Sequence, residues 1–200
     1  MQLKNIDFNT YDYDSFIYES YNIVNPNENI KEYIKDETYI PPILNTKLSY
    51  INIYYPNIKR IIVTTPEMVV PFGLEGDNSF QIKLQFSNIK LNNDMNDFLN
   101  FIKNIELNNI KYIGLEKKDY GKYKSQIYQD KKGKYDPLLI VKVPFKNNKF
   151  NVNVYNDTYN LNITNIHKFS KVKCDIFIDS IWLFNGKYIC KWKLSSIHIL

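Results

Sequence analysis

The segment from Lys171 onward restricts the fold more than any other part of the chain. Val172, Cys174, Ile176 and Ile178 alternate with Lys171, Lys173, Asp175 and Phe177, the period-two pattern of a strand with one buried face. Asn185-Gly186 then reads as a two-residue hairpin turn, because both residue types tolerate positive φ, and Tyr188 to Ile199 returns. Within that return, Cys190, Trp192 and Leu194 share one parity while Ile197 and Ile199 share the other. A strand buries both parities on one face only if an extra residue intervenes, so a bulge is predicted near Ser195-Ser196. A strand bending around a closed sheet carries such bulges.

Strand patterns dominate upstream as well. Leu48 to Tyr55 and Arg60 to Thr64 flank a turn at Pro56-Asn57. From Ser79 to Ser87, Phe80, Ile82, Leu84 and Phe86 lie on one face and Gln81, Lys83 and Gln85 on the other. Strands are also predicted at Leu138 to Pro144 and Lys149 to Tyr155. Asn92 to Asn108 is the one strong helix: Met95, Phe98, Leu99, Ile102 and Ile105 recur at three- and four-residue steps after an Asn-Asn-Asp start. It is expected to cover one side or end of the sheet. Strands do not alternate with helices, which disfavours an open α/β fold and favours a mainly β protein, a small antiparallel barrel or sandwich.

Residues 1–45 form an acidic N-terminal arm ahead of a domain spanning 46–200, with a short helix expected from Pro26, capped by Asn25, and a stop at Pro41-Pro42. Met1 to Asp14 carries early charges and no apolar block, so neither a secretory signal nor a membrane partner is expected, and the protein is read as intracellular. Cys174 and Cys190 fall on apolar strand positions and are expected to be buried thiols.

Charge is concentrated in one place. Between Lys117 and Tyr135 stand Lys117, Lys118, Lys122, Lys124, Lys131, Lys132 and Lys134, interleaved with Tyr120, Tyr123, Tyr128 and Tyr135 and opposed only by Asp119 and Asp130. Seven lysines less two aspartates is +5, the formal charge of the whole chain. Ammonium groups neutralise phosphates and aromatic faces stack unpaired bases, so the segment has the chemistry of a single-stranded nucleic-acid binder. A solvated loop is the plainer reading, since Lys and Tyr are abundant throughout this chain. Lys191 and Lys193 bracket Trp192 on the opposite parity, and Phe177 projects from the polar side of its strand beside Lys171 and Lys173, making it a further stacking candidate. Trp182 and Trp192 are read as packing residues.

Catalytic chemistry finds little support. His167 and His198 have no cysteine or carboxylate at metal-ligand spacing, and no nucleophile elbow or phosphate-cradling glycine loop occurs. Asp94 and Asp97 sit in the first turn of the predicted helix, where its dipole accounts for them. No enzyme activity, metal or cofactor is expected.

Three segments carry a family resemblance: Thr65-Pro-Glu-Met-Val-Val-Pro-Phe-Gly-Leu74 with the strand Phe80 to Phe86; Tyr135-Asp-Pro-Leu-Leu-Ile-Val-Lys-Val-Pro144; and Ser180-Ile-Trp-Leu-Phe-Asn-Gly-Lys-Tyr-Ile-Cys-Lys-Trp-Lys-Leu194. They resemble stretches of the single-stranded DNA-binding proteins of large nucleocytoplasmic DNA viruses, and the last is similar to the closing strands of phage OB-fold proteins that coat single strands. The resemblance implies an OB-like barrel, no catalysis, sequence-tolerant coating of DNA during viral replication or recombination in a host cytoplasmic factory or nucleus, and partners among viral replication proteins. The phage proteins end in an acidic tail where this chain has Ile197-His-Ile-Leu200, and Tyr188-Ile189 stand where relatives tend to carry glycine.

The expected site is therefore Lys117, Lys118, Lys122, Lys124, Lys131, Lys132 and Lys134 on phosphates, Tyr120, Tyr123, Tyr128 and Phe177 on bases, and Lys191 and Lys193 continuing the track. Phe72, in the Pro-Phe-Gly turn, is either a further platform or a plug over the barrel end, and the plug is the preferred reading. A structural or scaffold protein of a virus particle, with its basic loop merely facing solvent, is the rival reading.

Overall fold

The computed structural model describes residues 7–9, 12–19, 22–23, 49–54, 61–77, 79–157, 159–178 and 180–200. The helix expected from Pro26, the Pro41-Pro42 stop and the Pro56-Asn57 turn lie outside these residues.

Five strands close into a barrel. The first is interrupted, β2 (Ile61–Thr64) continuing as β3 (Met68–Val70); the others are β4 (Gln81–Gln85), β7 (Leu138–Lys142), β8 (Ser170–Ile178) and β11 (Trp192–Ile199). Around the barrel the order is β2/β3, β4, β7, β11, β8 and back to β2/β3. In chain order of the five this is 1-2-3-5-4-1, the OB arrangement. Every pairing is antiparallel except β7 with β11, which run parallel through Val141 with Trp192 and Lys142 with Lys193. The barrel is thus mixed rather than wholly antiparallel as expected. A closed odd-membered ring of strands cannot alternate direction throughout, so at least one parallel pair must occur.

Two irregularities bend it. Asp175 pairs with Ser196 and Ile176 with Leu194, which leaves Ser195 as the extra residue. The predicted bulge is therefore present at its predicted position, and Leu194 and Ile197 are both buried on either side of it. On the other flank of β8, Thr64 pairs with Asp175 and Met68 with Val172, three residues against two, with Pro66 at the interruption, where no ladder N–H is needed.

Ile82, Leu84, Leu139, Val141, Val172, Cys174, Ile176, Trp192 and Leu194 fill the interior. α1 (Asn93–Ile113) closes one end of it, with Phe98 beside Phe86 at 5.9 Å and Phe101 beside Trp192 at 6.3 Å. Asn92 caps the helix by accepting from the Met95 N–H at 3.1 Å, and Gly114 ends it in the left-handed conformation. The helix thus runs past the expected end at Asn108, because Asn109 is buried and Ile110 and Ile113 still pack on the core. Described residues ahead of Ser49 pack on the same helix: Phe8 meets Phe98 edge-on at 5.2 Å, and Tyr18 stacks on Tyr112 at 4.1 Å.

The Asn185-Gly186 hairpin forms with φ of 49° and 71°, but its arms, β9 (Ser180–Phe184) and β10 (Lys187–Ile189), leave the barrel. They join β1 (Ser49–Tyr54) in a second sheet. This connection between β8 and β11 is therefore a structured hairpin at the α1 end of the barrel.

Candidate nucleic-acid interface

Neighbouring ladder partners project to the same side of a sheet, so the register states which side chains share the outer face of the barrel. Three rows cross β4 and β7, about 7 Å apart. Gln81 stands beside Lys142, Lys83 beside Ile140, and Gln85 beside Leu138. The first row continues from Lys142 to Lys193 on β11 and on to Phe177 on β8 and Ile62 on β2. The third continues from Leu138 to Tyr128.

Tyr128 reaches this face because the basic segment is stitched in at two places. β5 (Tyr123–Lys124) pairs with β10, Tyr188 opposite Tyr123 and Ile189 opposite Lys124. β6 (Ile127–Tyr128) then pairs with β7 on the edge that β11 takes further along. Helix α1 fixes the bend between them: Glu106 accepts from the Ser125 hydroxyl and the Gln126 N–H, both at 2.7 Å. Burial raises the Glu106 carboxyl above its ordinary value, and those two donors pull it partly back. Deeper still, the Tyr18 hydroxyl donates to Asn109 Oδ1 at 3.0 Å and Asn109 Nδ2 donates to Tyr123 Oη at 2.9 Å. Burial pushes both tyrosines upward, so each stays a neutral phenol.

The expected site residues therefore separate. Tyr128 is 55% exposed and shares the outer face with the half-buried Lys193. Lys191 is half-buried just ahead of β11. Lys124 is exposed on β5, and Lys131, Lys132 and Lys134 are exposed in the turn between β6 and β7, where Lys134 lies 5.3 Å from the Tyr135 ring centroid. Lys117, Lys118, Tyr120 and Lys122 are exposed on a 3-10 helix, with Lys118 paired to Glu116 at 2.7 Å and Lys122 to Asp119 at 2.9 Å.

Three expectations are corrected. Tyr123 is only 8% exposed, its ring spent on the core and its hydroxyl on Asn109, so it offers no face to a base. Phe177 does stand on the outward parity, but it too is buried, at 7%, with Lys193 Nζ 6.0 Å from its ring. Phe72 is no plug: it is 47% exposed, and Lys83 Nζ lies 5.1 Å from its ring centroid. Trp192 packs inside, as expected, while Trp182 is half-buried against Tyr50 at 5.0 Å.

Lys83 and Lys142 are the residues that reading the sequence left out of the site, and Phe72 is the one it set aside in favour of a plug. Lys83 sits on the polar side of a strictly alternating strand, and Lys142 interrupts an apolar one; both were visible as outward-facing. Their adjacency follows only from strand order. Lys142 and Lys193 occupy directly opposed ladder positions on the outer side of the sheet. The face is bounded at one end by the β3–β4 connection with Phe72 and Glu75, whose carboxylate pairs with Lys83 at 3.1 Å, and at the other by Tyr128 and the basic turn. The lysines of this face suit anionic groups and its exposed rings suit planar ones. Among the described residues, no group of three His, Cys, Asp or Glu side chains is placed to hold a metal ion, and no helix is long and apolar enough to cross a membrane.

No protein-family model matches the chain, and no curated protein does. Among solved structures, it is similar to the single-stranded DNA-binding protein from bacteriophage Enc34, with a TM-score of 0.48 and 12% identity over 74% of this chain and 83% of that one. The same phage protein in complex with ssDNA gives a TM-score of 0.45 at 13% identity, covering 74% of this chain and 89% of that one. Its C-terminal truncation gives 0.41 at 10% identity, covering 80% and 92%.

Proposed function

We propose that this chain binds single-stranded DNA with little regard to sequence, on the outer face of β4 and β7. The observation that carries the reading is the row Gln81, Lys142, Lys193 on the outer face of an OB-ordered barrel that also bears two exposed rings, Phe72 beside Lys83 and Tyr128 beside Leu138. The strand 2–3 face of such barrels, with the connections that flank it, is where oligonucleotides are held. Lysines take phosphates, exposed rings take bases, and the half-buried Ile140 and Leu138 between them give bases an apolar floor. Stacking and phosphate contact do not depend on which base is present, which favours tolerance of sequence.

The wider role that the resembling segments suggest is non-enzymatic coating of DNA during viral replication or recombination, in the cytoplasmic factory or nucleus of a host, alongside viral replication proteins.

The test is anisotropy of a labelled oligo-dT titrated with the protein at several salt concentrations, with and without duplex competitor. Binding that resists the duplex is expected, and log K falling against log salt by about 0.7 per phosphate contact, or near −3.5 in all for five. Equal competition by duplex, or an affinity indifferent to salt, would sink the reading; no binding at all would favour the scaffold.

A further inference from the structure

We propose that Phe169 is a second stacking platform, which takes the strand past Phe72, off the β4–β7 face and over the start of β8. The inference rests on the proposed binding of single-stranded DNA and adds a direction of travel to it.

Phe169 combines two features that seldom meet. Its backbone is left-handed, with φ of 66°, where a bulky side chain is costly and glycine or asparagine is preferred. Its ring is 71% exposed, so the cost is not recovered by burial in the core. The turn is held firmly in that shape: the Phe169 N–H donates to the Val70 carbonyl at 2.7 Å, the Ser170 N–H to the His167 carbonyl at 3.2 Å, and the Ser170 hydroxyl accepts from the His167 N–H at 3.1 Å.

The turn also touches the loop that carries Phe72. A Cβ on Gly73 would lie 3.0 Å from the Ile166 carbonyl oxygen and 3.6 Å from the backbone of His167 and Lys168, so the two backbones approach as closely as a glycine allows. Gly73 itself has φ of 73°, a second reason for that residue type. Two exposed rings, Phe72 and Phe169, thus rise from backbones in contact. Lys168 is exposed next to Phe169 in the chain, Lys171 is exposed in a pair with Glu67 at 3.1 Å, and Lys173 is exposed further along β8. Aromatic faces in succession with ammonium groups alongside are what consecutive unpaired nucleotides recognise, because every base has a face to stack and every linkage a phosphate to neutralise.

Phe169→Gly and Phe169→Asn remove the ring while keeping residues that accept the backbone. Both are expected to melt at or above the wild-type temperature. Their affinity for a long oligo-dT is expected to drop about tenfold, and the loss to vanish for oligomers short enough to fill only the β4–β7 face. Phe169→Trp is expected to keep wild-type affinity at every length. Folded Gly and Asn variants that match a binding-competent wild type at all lengths would overturn the inference and leave DNA binding standing. A wild type that binds no oligomer would overturn both.

Discussion

Asp175 and Ser196 meet where two barrel strands fall out of register, the serine hydroxyl donating to Asp175 Oδ2 at 2.7 Å beside the bulge at Ser195. The other carboxylate oxygen accepts from the Thr64 hydroxyl at 2.6 Å, next to the interruption between β2 and β3. One carboxylate therefore ties β8 to both its neighbours at the points where each ladder slips.

Asp175→Ala should accordingly cost about 1–2 kcal/mol of stability, the scale of losing two charge-assisted hydrogen bonds at a partly solvated site. Asp175→Asn keeps one acceptor oxygen and should fall between the two. Urea unfolding of the three proteins measures this. Equal midpoints would mean that the bulges hold without the carboxylate.

Asn109 occupies a fully buried helical position, with its amide between the hydroxyls of Tyr18 and Tyr123. Replacing it by Ala leaves two phenols without their partner and opens a small void, for a loss of about 2–3 kcal/mol. Tyr123→Phe removes only one end of the chain and should cost about 1 kcal/mol. Because Tyr123 is internal, the folded Phe variant should bind oligo-dT as the wild type does. A weakened Y123F with an unchanged melting temperature would place the Tyr123 hydroxyl in the binding site.

Glu106 gives a pH signature. Its folded-state value lies above the ordinary 4.5, with burial the largest cause. For a raised group the stabilising contribution is complete below the unfolded value and is lost as pH rises through the folded one. The wild type should therefore lose stability relative to Glu106→Gln as pH climbs from about 4.5 toward neutrality, since the amide never ionises. Chemical denaturation at successive pH values reads this out, and a constant gap between the two proteins across that window would contradict it.

What the sequence made legible was local. Phe80 to Phe86 announced its buried side by alternation, Asn185-Gly186 its turn by backbone tolerance, and Leu194 with Ile197 their bulge by a change of parity. Parity also put Phe177 on the outward side, where it stands opposite Lys193, but parity says nothing about what covers an outward residue. Tyr123 was misjudged for a related reason. Its partners, Asn109 and Tyr188, come from α1 and β10, and no local pattern announces a contact between elements so far apart in the chain. Lys142 beside Lys193 is likewise a product of strand order, as is the parallel pairing that brings them together.

The charge row provides the most direct test of the binding face. Lys142 and Lys193 are half-buried and stand on the outer side of β7 and β11. Lys142→Glu and Lys193→Glu, singly and together, should leave the fold intact, because the interior on the other parity is untouched. Neutral replacements by Gln should each make the salt slope shallower by about 0.7, and the Glu variants should weaken binding further through repulsion of phosphate. Tyr128→Ala should lose about 1–3 kcal/mol of binding free energy, alike for oligo-dT and oligo-dA, since stacking takes any base. The same substitution of Tyr120, on the 3-10 helix, has no register with the face and should cost less. If instead the lysines of residues 117–134 carry the whole salt dependence and Lys142 and Lys193 none, the DNA lies along the basic segment and the barrel merely supports it.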